Sequence, residues 1–219
     1  MSRVPYISAE EMEDIALNIL TDYGFDFENM VLPMATPIEE IIEFHFELDF
    51  AWEPIDHFDL SGIVMAAILP GQKRIIMNES RKELFEEKIG TMNFTMAHEL
   101  GHWVLHVNDK DNLQTSLNLN KSKEVFYCRS HSTRPPVEQQ ADMFAGAILM
   151  PKPALEKFVG KLKATRNIDM GSLYTLAGFF KVSISALCVR LNRLELLYVH
   201  KGQVYNSKEE YDGQIAFEF

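Results

Sequence analysis

Apolar residues recur at helical spacing through most of this chain and form strand-like runs in one stretch only. Ile15, Ala16, Ile19 and Leu20 make the first stripe. They stand behind Ser8-Ala9-Glu10-Glu11, an S-x-x-E capping box, so a helix is predicted through about Tyr23, ended by Gly24. Residues 37–42 predict a second helix, with Thr36 as its cap and Pro37 in its first turn. The apolar runs at 61–69 and 73–77 flank Pro70-Gly71-Gln72 and read as a β-hairpin. A helix over 79–89 follows. Phe94, Ala97, Leu100, Val104 and Leu105 then approximate a stripe on a buried helix. A further helix is expected from about Val137 to Leu149, where Ala141, Ala145, Gly146 and Ala147 are small enough for close packing on a neighbour. Another spans about 155–162.

From Ser172 the pattern changes. Leu173, Leu176, Ala177 and Phe180 predict a helix, Lys181-Val182-Ser183 a tight turn, residues 184–194 a second helix and residues 198–205 a hairpin. This is the outline of a winged helix-turn-helix. As a DNA reader it would turn Arg190 and Arg193 toward a groove. The alternative is that these helices complete the core, which the thin cationic content favours. The expected fold class is α+β, mostly helical with a small β-sheet. The expected division is a first domain over residues 1–165 and a helical region over 166–219, packed on it.

The bulk composition narrows the function classes. With 219 residues, 47% hydrophobic and 24% charged, the chain is an ordinary globular one. No run approaches the ~20 apolar residues of a membrane span. Met1-Ser2-Arg3-Val4-Pro5-Tyr6 shows no apolar leader, and the two cysteines, Cys128 and Cys188, offer no disulfide framework. A cytoplasmic protein is expected. The net charge of −11 is uneven: residues 1–59 carry 15 acids against Arg3 alone, and residues 151–219 carry 10 bases against 7 acids. The acidic start would repel nucleic acid, which the last third could tolerate, over residues 172–205.

Candidate chemistry centres on His98-Glu99-Leu100-Gly101-His102, an H-E-x-x-H string. Residues four apart share one helical face, so His98 and His102 can grip one zinc ion, with Glu99 beside them to polarise a water. A catalytic zinc needs a third protein ligand and an open position. Glu138, in Glu138-Gln139-Gln140-Ala141-Asp142, is the candidate. Asp142 lies on the same face and would accept the N–H of a ligating histidine. A carboxylate at 138 would equally suit a helix N-terminus after Pro135-Pro136. His106 shares the face of His102 but lies two turns from His98, roughly 12 Å along the axis at ~1.5 Å per residue, too far to join both at one ion. It is expected as a helix-end residue, a support to a ligand, or a substrate contact. Cys128-x-x-His131 has no second half and does not make a zinc finger. The polar stretch 107–136 reads as an active-site loop from which Tyr127, Arg129 or His131 would reach an oxyanion. The run Lys73–Asn78 is a candidate sheet edge for pairing with an extended substrate.

An H-E-x-x-H string followed by E-x-x-x-D resembles the thermolysin-like gluzincins and implies a zincin-like core. The longer strings are more specific. Phe94-Thr95-Met96-Ala97 before the motif, Trp103-Val104-Leu105-His106 after it, Met143-Phe144-Ala145-Gly146 and Leu149-Met150-Pro151 resemble the ImmA/IrrE family of metallopeptidases. Leu176-Ala177, Phe180, Val182-Ser183, Ala186-Leu187 and Arg190-Leu191 are similar to that family's downstream block. The resemblance covers about residues 10–195. Met92-Asn93 departs from it, since many members carry basic residues there, and residues 206–219 match nothing in it. The resemblance implies His98, His102 and Glu138 as zinc ligands and Glu99 as the catalytic glutamate. It further implies a zinc-dependent endopeptidase acting on a protein substrate inside the cell, a helix-turn-helix transcriptional repressor. The rival expectation is a regulatory zinc-binding module that binds a repressor or DNA without turnover.

Overall fold

A computed structural model describes residues 5–60, 63–107, 126–127, 135–165 and 168–216. Helix α1 (Ala9–Tyr23) begins at the expected capping box: Ser8 and Glu11 each bond the other's backbone N–H. It ends at Gly24, whose φ of 108° is open to glycine and costly to other residues. The short α2 (Ile38–Glu40) widens at once into a π-turn, Ile41–His45. Thr36 does not cap it. The Thr36 hydroxyl instead donates a 2.8 Å bond to the Ile148 carbonyl, and Pro37 holds the capping position with no side-chain bond. A lone threonine beside an unbonded carbonyl far away in sequence serves that carbonyl first, because a buried hydroxyl must be satisfied.

Four strands form the main sheet in the order β1-β3-β2-β4: β1 (Asp49–Glu53), β2 (Ala66–Leu69), β3 (Arg74–Asn78) and β4 (Phe126–Tyr127). The hairpin of β2 and β3 is antiparallel as expected, turned by Pro70–Gln72 with Lys73 in the left-handed region. Strand β1 was not foreseen. It pairs parallel with β3, Phe50 opposite Ile75, and Arg74 holds it at both ends by ion pairs to Asp49 (2.6 Å) and Glu53 (2.8 Å). This corrects the expectation for residues 73–78. β3 has a partner on each side, so the run is interior and its backbone has no open edge for a substrate. The outer strands are β1 and β4. Strands β2 and β3 read as unbroken apolar runs because both faces are covered. Ala66, Ile68, Ile75 and Met77 face the main core, and Ala67 and Ile76 face a smaller cluster with Ile55 and Val64.

The chain then passes through α3 (Lys82–Glu87) into α4 (Ile89–His106), with Lys88 as the break between them. Beyond β4 come α5 (Pro136–Leu149), α6 (Lys152–Thr165), α7 (Met170–Phe180) and α8 (Ile184–Arg193). The hairpin of β5 (Tyr198–His200) and β6 (Gln203–Tyr205) follows, then α9 (Lys208–Ala216), whose Tyr211 stacks on Tyr198. Helices α7 and α8 meet at 101°, the expected helix-turn-helix bend. No single helix among the described residues is long and apolar enough to cross a membrane.

Helices α7 and α8 do not stand apart from the rest. Leu173, Ala177, Phe180, Leu187 and Leu191 share one apolar cluster with Met12 of α1, Leu100 of α4 and Phe144 of α5. At the junction Asn93 donates to the Lys181 carbonyl at 2.9 Å. Gly90 lies against the α7–α8 turn so closely that a Cβ there would fall 2.5 Å from the Ser183 nitrogen. Arg190 is 4% exposed and pairs with Glu13 of α1 through both terminal nitrogens, while its Nε donates to the Met150 carbonyl. Arg190 therefore faces the interior, not a nucleic-acid groove.

Candidate metal centre

Helices α4 and α5 are the most closely packed pair of elements, and small residues make it so. A Cβ at Gly101 would lie 3.2 Å from the Ala141 Cα and 3.1 Å from the Phe144 ring. Glycine at 101 and alanine at 141 let the two backbones approach, and side chains one turn along can then meet across the gap. His98 and His102 sit one turn apart on the α4 face turned to α5. Glu138 reaches them from the first turn of α5, where a carboxylate is also favoured by the helix dipole.

Three donor atoms converge. His98 Nε2 and His102 Nε2 are 3.0 Å apart, and the Glu138 carboxylate oxygens lie 3.2 Å from the first and 3.4 Å from the second. Four-coordinate zinc with ligand bonds of ~2.0–2.1 Å needs donors about 3.3 Å apart. The two Glu138 distances are to different oxygens, Oε2 and Oε1, and one donor atom from each of the three side chains lies within 4.8 Å of the others, close enough for one divalent ion. Both histidines are buried, while the Glu138 side chain keeps 20% of its exposure, which leaves that side of the cluster accessible.

The electrostatics describe the same crowding. Burial pulls the His98 imidazole down, but hydrogen bonds to Asp142 and Glu138 outweigh it, and the net pKa rises. His102 is driven strongly down by burial and then by its histidine neighbours. Two ring nitrogens 3.0 Å apart can share one proton, not hold two.

Around the donors, Asp142 Oδ1 lies 3.0 Å from His98 Nδ1 and accepts its N–H, the carboxylate–histidine support that fixes which nitrogen is free for a cation. Glu99 follows His98 directly and is fully buried. His106 does not join the three donors. Its Nδ1 stands 3.2 Å behind His102 Nδ1, and its Nε2 is 2.9 Å from Gln140 Oε1. Gln140 was overlooked in the sequence, although a polar side chain two residues past Glu138 on a buried helix is a visible anomaly. His131 and Cys128 lie outside the described residues, as does Arg129. Tyr127 is placed only by its backbone pairing with Ala67.

Paired helices that bring His, His and Glu to one point, with a second carboxylate on the same turn, are suited to metal-dependent hydrolysis. The chain belongs to the ImmA/IrrE family of metallopeptidases: residues 46–192 match the family Peptidase_M78, described as the IrrE N-terminal-like domain. The match includes both metal motifs and the α7–α8 helices, and it leaves α1 outside. Comparison with curated proteins gives no match.

Proposed function

We propose that this metallopeptidase is a zinc-dependent endopeptidase that cleaves an intracellular protein, a helix-turn-helix transcriptional repressor. In this reading His98, His102 and Glu138 hold the ion, Glu99 is the general base, and Asp142 orients His98. The observation that carries it is the convergence of three donors, all within 4.8 Å of one another, beside Glu99 on the same helix. Zinc so held supplies Lewis acidity, bringing the pKa of a water toward neutrality and polarising a peptide carbonyl.

The protein's own residues account for the rest. Glu99 takes the proton of the attacking water and returns it to the leaving amine as the peptide bond breaks. Its burial keeps bulk water from competing for that proton. Asp142 holds His98 with its Nε2 lone pair turned inward. The 20% exposure of Glu138 leaves an approach for an extended peptide on that side. The choice of a repressor as substrate rests on the family's habit, and of zinc on the mixed nitrogen and oxygen donor set.

The test is incubation of the zinc-loaded protein with a helix-turn-helix repressor encoded beside its gene. Discrete fragments, abolished by a chelator and restored by zinc, are expected. Stoichiometric binding with the repressor left intact would overturn the reading in favour of a regulatory metal-binding module.

A further inference from the structure

A chain of hydrogen bonds runs from His102 away from the metal centre. His102 Nδ1 is 3.2 Å from His106 Nδ1, His106 Nε2 is 2.9 Å from Gln140 Oε1, and Gln140 Nε2 is 2.7 Å from the Pro5 carbonyl oxygen. Gln140 is buried, at 8% exposed, His106 is half-buried, and Pro5 at the far end is exposed. Residues 102 and 106 are one turn apart on α4, Gln140 comes from α5, and Pro5 precedes α1. Three separate parts of the sequence meet behind one histidine.

The far end dictates the whole chain. A carbonyl oxygen can only accept, so the Gln140 amide nitrogen must face Pro5 and its oxygen must face His106. That oxygen accepts, so His106 carries its proton on Nε2. The Nδ1 of a neutral His106 is then a lone pair, and His102 must donate to it from Nδ1. The Nε2 of His102 is left as a lone pair, directed at His98 and Glu138. Among neutral forms of His102 and His106, no other assignment satisfies the three contacts of the relay.

We propose that His106 and Gln140 are positioning residues for the metal centre, which set the tautomer and ring orientation of His102 and anchor them to the Pro5 carbonyl. The proposal rests on the reading of His102 as a ligand and extends it. The two histidines are then supported unlike each other, His98 by the Asp142 carboxylate and His102 by an imidazole relay. The relay also makes the segment before α1, which the family match does not reach, part of the support of the site.

Two measurements on the full chain test this. Long-range proton–nitrogen correlation on the metal-free protein should show His102 protonated at Nδ1 and His106 at Nε2. The opposite tautomer at either ring overturns the relay, whether or not the protein is a peptidase. Zinc affinity by chelator competition should fall roughly 10–100-fold in His106→Leu, as for other lost supports of a metal ligand. It should fall by less in Gln140→Leu, which removes the acceptor for His106 Nε2–H and the bond to Pro5 but leaves the His102–His106 contact in place. A folded His106→Leu protein with wild-type affinity overturns the relay, as does wild-type affinity in a folded Gln140→Leu protein. Should the wild type show the expected tautomers yet bind no zinc, the relay stands and the peptidase reading falls.

Discussion

The α4–α5 pair and the α7–α8 pair both bury polar side chains, and they treat them in opposite ways. Between α4 and α5, the donors of His98, His102 and Glu138 crowd within 4.8 Å of one another. A positive charge must stand among them, the proton that the two rings share or a metal ion. On α8, Arg190 is nearly as buried, yet it meets only complementary groups: the Glu13 carboxylate at 2.7 Å and the Met150 carbonyl at 3.1 Å. Burial of a polar group is common to both pairs and marks neither as functional. What separates them is whether the buried atoms answer one another. Arg190 is saturated and ties α8 to α1, whereas the α4–α5 cluster gathers three side chains that could hold one metal ion.

Substitutions can break each half of this contrast. The largest effect is expected from His102→Ala, which removes one of three donors. The purified variant should carry no stoichiometric metal by elemental analysis, and retention of a full equivalent would move the centre away from this helix pair. Next is Arg190→Leu, which leaves the Glu13 carboxylate, 14% exposed, without its partner. A stability loss of about 3–5 kcal/mol in urea denaturation is expected, the range for breaking a buried pair on one side. The folded fraction should still bind metal, and a loss of metal without a loss of stability would show that Arg190 serves the site after all. Gly90→Ala should cost about 1–3 kcal/mol, since its Cβ would meet the backbone of Val182 and Ser183 at 2.6 and 2.5 Å. An unchanged melting temperature there would mean that the α7–α8 turn is not seated on α4 as described.

What the sequence revealed follows the range of the interactions. His98 with His102, and Glu138 with Asp142, are each one helical turn apart, so their spacing alone predicts a shared face. The capping box at Ser8 and Glu11 and the hairpin around Pro70-Gly71-Gln72 are local in the same sense, and both stand as expected. The features that were missed join distant parts of the chain. Strand β1 contains Asp49 and Glu53, and it forms by pairing with β3, where Arg74 meets both carboxylates. Its insertion beside β3 is what closed the edge expected at residues 73–78. Thr36 caps a carbonyl 112 residues away rather than the helix next to it. Arg190, weighed as a DNA contact against the favoured reading that its helix completes the core, is bonded to a carboxylate 177 residues away that the sequence did not point to. Gln140 could be seen as a polar residue on an apolar helix, but its partners His106 and Pro5 come from two other segments. Periodicity tells which residues share a face and is silent on which faces meet.

The central claim is that the α4–α5 cluster exists for chemistry, with Glu99 as its base, and one variant separates that role from metal binding. Glu99→Gln preserves shape and leaves all three donors in place while removing the carboxylate's basicity. Bound zinc and cleavage of the protein substrate should be measured on the same preparation as the wild type. The account predicts one equivalent of zinc in both proteins and a cleavage rate lower by about 10²–10⁴-fold in the variant. Wild-type cleavage by the zinc-loaded Glu99→Gln protein would contradict it.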